Sequence, residues 1–228
     1  MADLFLPHHV HFCYRGDAVV FLDLQRDDYT FVGAEGAAAL RRLSSLEATI
    51  TSPESRAALN ELLDGGLLTT DRRAGRAIAP TMTTPASQPL LDDEAVSSAR
   101  ASFGHLLNFF VASTHASARL RWGQLHRTIG RVRLRKAGRT TATPFDVDRA
   151  RELVAIFGRL RSLFPRRYLC LYDSLALIEF LARYGIFPGW IFGVRLEPWA
   201  AHCWVQEADY IFNEEPEEAA GYTPVMVI

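Results

Sequence analysis

Cysteine is scarce in this chain: Cys13, Cys170 and Cys203 are the three among 228 residues. So low and odd a count gives no disulfide framework. An excess of one charge is missing as well. The 25 basic and 26 acidic residues leave a formal net charge of −1, which excludes the global basic field of a nucleic-acid binder. No uninterrupted apolar run reaches the ~18–20 residues that span a bilayer. The opening MADLFLPHHVHF has no basic segment followed by an apolar one, so it does not read as a signal peptide. P-loop and dinucleotide glycine patterns are lacking too. These absences predict a soluble cytoplasmic protein with reduced thiols, no membrane or nucleic-acid partner, and no cofactor.

What is present suffices for a packed fold. Hydrophobic residues make up 49% and charged residues 22%, as in globular chains that bury a core. The length fits one or two domains. Residues 1–72 read as three short antiparallel strands, Val10–Tyr14, Ala18–Leu24 and Tyr29–Val32, with Arg15-Gly16-Asp17 and Gln25 to Asp28 as polar turns. Helices are expected over 35–43 and 53–63, the second with Ser52 as N-cap, Pro53 in its first turn and Gly65-Gly66 at its end. Leu67 to Thr70 reads as a wing strand, which makes the unit a small winged helix. Residues 73–95 carry Pro80, Pro85 and Pro89 with little periodicity and read as a linker.

Residues 96–228 form the second expected domain, of class α+β. Helices are predicted over 96–113, 116–136, 145–164 with Pro144 before it, and 169–184. The last has an apolar stripe wide enough for a buried central helix. Strands follow at 190–196, 202–207 and 210–213. The stretch 119–139 holds Arg119, Arg121, Arg127, Arg131, Arg133, Arg135, Lys136 and Arg139 with no acid. It reads either as a solvated helix face or as a contact for an acidic partner.

Cys170 stands in the first turn of the central helix, where the helix dipole favours thiolate, the nucleophilic form. A lone cysteine on an apolar helix is also an ordinary core residue. His202 on a strand tips the reading toward chemistry. If the strands around it pair about Ala208, His202 faces Glu214, and a carboxylate there holds one ring nitrogen while the other addresses a nucleophile. Asn213 is the alternative third residue, though its side chain is expected on the other face. Alternation puts Cys203 on the face opposite His202, as a core residue, and Cys13 reads as structural. No zinc-ligand spacing occurs; His8, His9 and His11 form at most an adventitious metal cluster.

Four blocks in order, Cys170-Leu-Tyr-Asp-Ser-Leu-Ala-Leu, Gly193-Val-Arg, Pro198-Trp-Ala-Ala-His202-Cys-Trp204-Val and Phe212-Asn213-Glu214, resemble the lasso-peptide B proteins, which are transglutaminase-like cysteine peptidases. The resemblance covers about residues 145–228. It implies that Cys170 is the nucleophile, His202 the base and Glu214 the third residue, where the family usually has Asp. A small residue usually stands at the position of Cys203. The first 70 residues resemble the precursor-recognition element of that pathway, similar to the quinone-cofactor D protein. Such domains bind a leader peptide as an added strand. The expected leader contacts are Tyr29, Phe31 and Val32 on the edge strand, with Leu59 and Leu62 from the neighbouring helix. The resemblance also implies an asparagine-synthetase-like cyclase as partner, which closes an isopeptide ring after the leader is removed. A non-catalytic leader-binding scaffold and an acyl transferase with the same Cys-His pair are the rival readings.

Overall fold

The computed structural model describes residues 3–44, 52–138 and 145–228. Arg139 and Pro144, which figured in the basic stretch and the expected helix start, lie outside them. The chain divides into two compact units: residues 1–83 with 223–226, and residues 84–222 with 227–228.

The first unit is built on strands β2 (Val10–Arg15), β3 (Ala18–Asp23) and β4 (Asp28–Val32), in that order and antiparallel throughout. Helices α1 (Ala34–Ser44) and α2 (Pro53–Asp64) cover the sheet. Ser52 caps α2 by accepting the Ser55 amide at 3.1 Å, and Pro53 opens its first turn. Phe12, Val19, Phe21, Leu40, Leu59 and Leu62 belong to the core between the layers. The expected wing strand at 67–70 does not form. Gly66 takes a positive φ of 74°, turning the chain back on α2, and the amides of Leu67 and Leu68 both bond the carbonyl of Leu62. Their side chains are buried. Amides already spent on a helix end cannot build a ladder, so Thr69 alone makes a bridge, to Phe5.

The segment 73–95 contains short strands β5 (Gly75–Arg76) and β6 (Gln88–Pro89) and the start of α3 (Asp93–Ser98). Strand β5 pairs with β1 (Leu6–Pro7).

The second unit carries α3, α4 (Phe103–Trp122), α5 (Leu125–Ala137), α6 (Val147–Arg161), α7 (Cys170–Ala182), strands β7 (Gly189–Arg195), β8 (Ala200–Glu207) and β9 (Tyr210–Ile211), and the short α8 (Pro216–Ala220); β10 (Thr223–Val227) ends the chain's elements. The class is α+β. The helix boundaries expected at 113 and 116 fall elsewhere. Ser102 caps α4, accepting from the His105 amide, and the helix runs unbroken to Gly123, where any Cβ would strike the Arg119 carbonyl. Asp146 caps α6. Strand order is β7-β8-β9-β6, with β6 parallel to β9 and the others antiparallel. Ile228 and Trp190 exchange both backbone hydrogen bonds.

Helix α7 lies at the centre of this unit, with Leu175, Ala176, Leu177, Phe180 and Leu181 fully buried. Its one buried acid, Glu179, takes Arg119 and Arg135 as partners, the latter through bonds of 2.9 and 3.0 Å. Part of the basic stretch is thereby spent inside the fold. Among the described residues no helix is long and apolar enough to cross a membrane.

Candidate active site

Cys170 is the first residue of α7. The segment that delivers it, Phe164 to Leu169, is fixed by one buried guanidinium. Arg161, at the end of α6, pairs through Nε with Asp173, and donates to the carbonyls of Phe164, Arg166 and Arg167 at 3.2, 3.0 and 3.2 Å. The second oxygen of Asp173 accepts the Leu169 amide at 2.7 Å. The residue before Cys170 is therefore tied to the helix that Cys170 begins. Sequence reasoning did not single out Arg161 or Asp173. The signal was the position of Arg161 at i+4 from Phe157, on the apolar face of α6.

His202 stands on β8 opposite Gly193 of β7. A Cβ at Gly193 would meet the Trp204 ring at 2.8 Å, so glycine gives the aromatic ring its space. Trp204 stacks on the His202 ring with centroids 6.0 Å apart, and Tyr222 tilts against it at 4.9 Å. The imidazole thus packs against two aromatic rings.

The acid reaches His202 by a route other than the expected one. The two-residue turn Ala208-Asp209, with Ala208 at a φ of 52°, pairs Gln206 with Ile211 and Glu207 with Tyr210, one residue out of the register about Ala208. Strict pairing would put Glu215 opposite His202. The ladder ends first. The Phe212 amide makes the last backbone bond, to Val205 at 2.9 Å, and Asn213 then uses its side chain instead, Oδ1 accepting the Val205 amide at 2.8 Å. This departure brings Glu214 Oε2 into hydrogen bond with His202 Nε2. Nδ1 is then the ring nitrogen left for Cys170. Asn213 Nδ2 donates to Ser174 Oγ at 3.2 Å, and Ser174 Oγ donates to the Cys203 carbonyl at 3.1 Å. This polar joint latches α7 to the hairpin one turn from Cys170. Asn213 is accordingly occupied in the joint rather than on His202.

The electrostatics follow from these contacts. The Cys170 thiol is lowered to about 4, first by a hydrogen bond from the Cys203 thiol, then by one from His202, with the Cys203 backbone and the imidazolium charge adding to them against the cost of burial. Burial by itself pulls His202 down, but hydrogen bonds with Cys170 and Glu214 and their negative charges outweigh it and hold the ring at about 9. Cys203 is buried and driven well above its ordinary value, by burial first and by the neighbouring Cys170 second. Cys13 is pushed up to about 12 by burial. Of the three thiols, Cys170 alone is both exposed and acidic. A thiolate beside an imidazolium can attack a carbonyl and hand a proton to a leaving group.

Cys170, His202 and Glu214 share the wall of a cavity of about 480 Å³ within this unit. Elsewhere in the chain, Tyr29 and Val32 are half-buried on β4, Phe31 is 58% exposed, and Leu59 and Leu62 lie inside the core. Among those five, Phe31 is the exposed apolar side chain. Among the described residues no group of three His, Cys, Asp or Glu is placed to hold a metal ion.

The sequence model of the transglutaminase-like superfamily matches residues 110–227. Neither the curated proteins nor the solved structures contain a match.

Proposed function

Since this chain belongs to the transglutaminase-like superfamily, whose fold suits cysteine peptidases and acyltransferases, we propose that it is the leader peptidase of a lasso-peptide pathway. It hydrolyses the bond that joins leader to core in a ribosomally made precursor. The observation that carries the chemical part is the Cys170–His202–Glu214 arrangement, with an acidic exposed thiol beside a histidine oriented by a carboxylate. The pathway assignment is supported by the four ordered sequence blocks from Cys170 to Glu214.

In this reading the Cys170 thiolate attacks the scissile carbonyl, His202 protonates the departing amine, and water assisted by His202 then hydrolyses the thioester. Glu214 holds the ring and stabilises its cationic form. Residues 1–72, a three-stranded sheet with two helices, act as the recognition element and 96–228 as the peptidase, with 73–95 between them. The leader adds as a strand at the β4 edge, contacting Tyr29, Phe31 and Val32, with Leu59 and Leu62 supporting that edge from within. Tethering capture to catalysis raises the effective substrate concentration, to about the mM range. An asparagine-synthetase-like cyclase consumes the freed N-terminus, in the cytoplasm.

The test is mass spectrometry of a cognate precursor incubated with this protein and its cyclase. Leader release by wild type and its loss in Cys170→Ala are expected. Equal release by the variant would make the chain a leader-binding scaffold, and amine-linked leader in place of free acid would make it a transferase.

A further inference from the structure

The cavity beside Cys170 has a chemical character that its polar residues conceal. Arg161 spends its donors on Asp173 and three carbonyls. Asp173 is satisfied by Arg161 and the Leu169 amide. Asn213 is committed to Val205 and Ser174. Besides Tyr168, Glu214 and Glu215, the lining then offers a ligand an apolar stretch formed by Val154, Phe157, Gly158, Leu177, Ile211 and Phe212. A volume of about 480 Å³ falls within the ~300–1,000 Å³ of small-ligand sites, ample for one large side chain.

Gly158 is the unusual member of that wall. It is an exposed position of α6, beside the buried Phe157 and one turn on from the buried Val154, where glycine weakens a helix. Its φ is not positive, and a Cβ placed on it meets nothing within 4 Å. Neither backbone conformation nor close packing asks for glycine there. The absent side chain leaves open space on the cavity wall.

The geometry points to a substrate subsite: the cavity takes a large apolar side chain, aromatic or branched aliphatic, flanking the attacked carbonyl, and Gly158 sets the size it admits. This deepens the peptidase reading and rests on Cys170 as the attacking group. The driving force is transfer of that side chain out of water onto this apolar part of the wall.

The test uses the full chain and needs no turnover. Cys170 is alkylated with iodoacetamide and with N-benzyl iodoacetamide, the thiolate displacing iodide in both, and each rate is normalised to N-acetylcysteine. The other two thiols are buried, and the labelled peptide is read by mass spectrometry. A benzyl preference of about tenfold is expected in wild type, and a fall to near unity in Gly158→Leu. An unchanged ratio in a Gly158→Leu protein that melts normally overturns the proposal, as does the lack of any benzyl preference in wild type. If Gly158→Leu does not fold, Gly158→Ala carries the test: a several-fold fall supports the subsite, and an unchanged ratio overturns it. A second arm supplies precursors with Phe, Leu, Ala or Asp beside the cut bond. Preferential cleavage of Phe and Leu, reversed toward Ala in the Gly158 variant, supports the subsite, and indifference to the side chain overturns it. Benzyl preference without cleavage of any precursor would leave the subsite standing and remove the leader-peptidase reading.

Discussion

A thiolate and an imidazolium held side by side titrate as one unit rather than as two independent groups. Cys170 at about 4 and His202 at about 9 make the ion pair the dominant form across the interval between those values. The sign follows from the charges: acid protonates the thiolate and removes the nucleophile, while alkali strips the imidazolium and removes the proton donor. Cleavage is therefore expected to rise through about pH 4 and to fall through about pH 9. Ultraviolet absorbance of the Cys170 thiolate gives the acid limb directly. His202→Ala shifts its midpoint upward, because a hydrogen bond and a positive charge are lost. Cys203→Ala also shifts it upward, because the Cys203 thiol is the first cause of the depression. A midpoint unmoved by Cys203→Ala would mean that the buried thiol serves packing alone. Alternation along β8 made Cys203 legible as a buried residue, but not as a hydrogen-bond donor to Cys170, since a contact between helix and sheet leaves no trace in strand periodicity.

At the scale of the element, α7 was the most legible part of the chain. Its apolar stripe is so wide that only burial explains it, and its start at Cys170 follows from the break before it. The hairpin β8–β9 was legible as a hairpin but not in register. Register depends on the turn, and the left-handed Ala208 shortens it to two residues. His202 meets Glu214 because the strand leaves its ladder after Phe212, an outcome that strict pairing excludes. The approach to α7 was not legible, since the Arg161–Asp173 pair joins two helices across a loop. With side-chain exposures of 3% and 12%, this pair is buried. Removing one partner leaves the other charged and unpaired, at a cost of about 3–5 kcal/mol. Arg161→Met is expected to lower the free energy of urea unfolding by about that much, and Arg161→Met with Asp173→Asn to recover part of the loss. A single variant as stable as wild type would show that the loop is held by other means.

Over the whole molecule, the strand pattern of the first unit and the helix-then-sheet order of the second were readable from periodicity. The wing was not, because Leu67 and Leu68 have β-forming surroundings in sequence and a helix end as their partner in space. Leader capture by β4 predicts a split in kinetic parameters. Phe31 is 58% exposed on that strand, and Phe31→Asp places a charge where an incoming strand would lie. For full-length precursor this variant is expected to raise KM about tenfold or more with kcat nearly constant, since uniform binding is lost rather than transition-state contact. Progress curves over a range of precursor concentrations measure both. A fall in kcat at constant KM would place Phe31 outside leader capture.

The joint of Ser174, the Cys203 carbonyl and Asn213 has an evolutionary consequence. It locks the helix bearing the thiol to the hairpin bearing the imidazole and its carboxylate, and none of its bonds passes through α6. The joint is thus encoded apart from Val154, Phe157 and Gly158, the α6 part of the cavity lining, while Leu177, Ile211 and Phe212 of the same lining come from the joined stretches themselves. A change at Gly158 alone reshapes the cavity without touching the joint, whereas a change at Arg161, three residues on, loosens the segment that delivers Cys170; descendants of this sequence are thus free to diverge in diet at single positions before they diverge in chemistry.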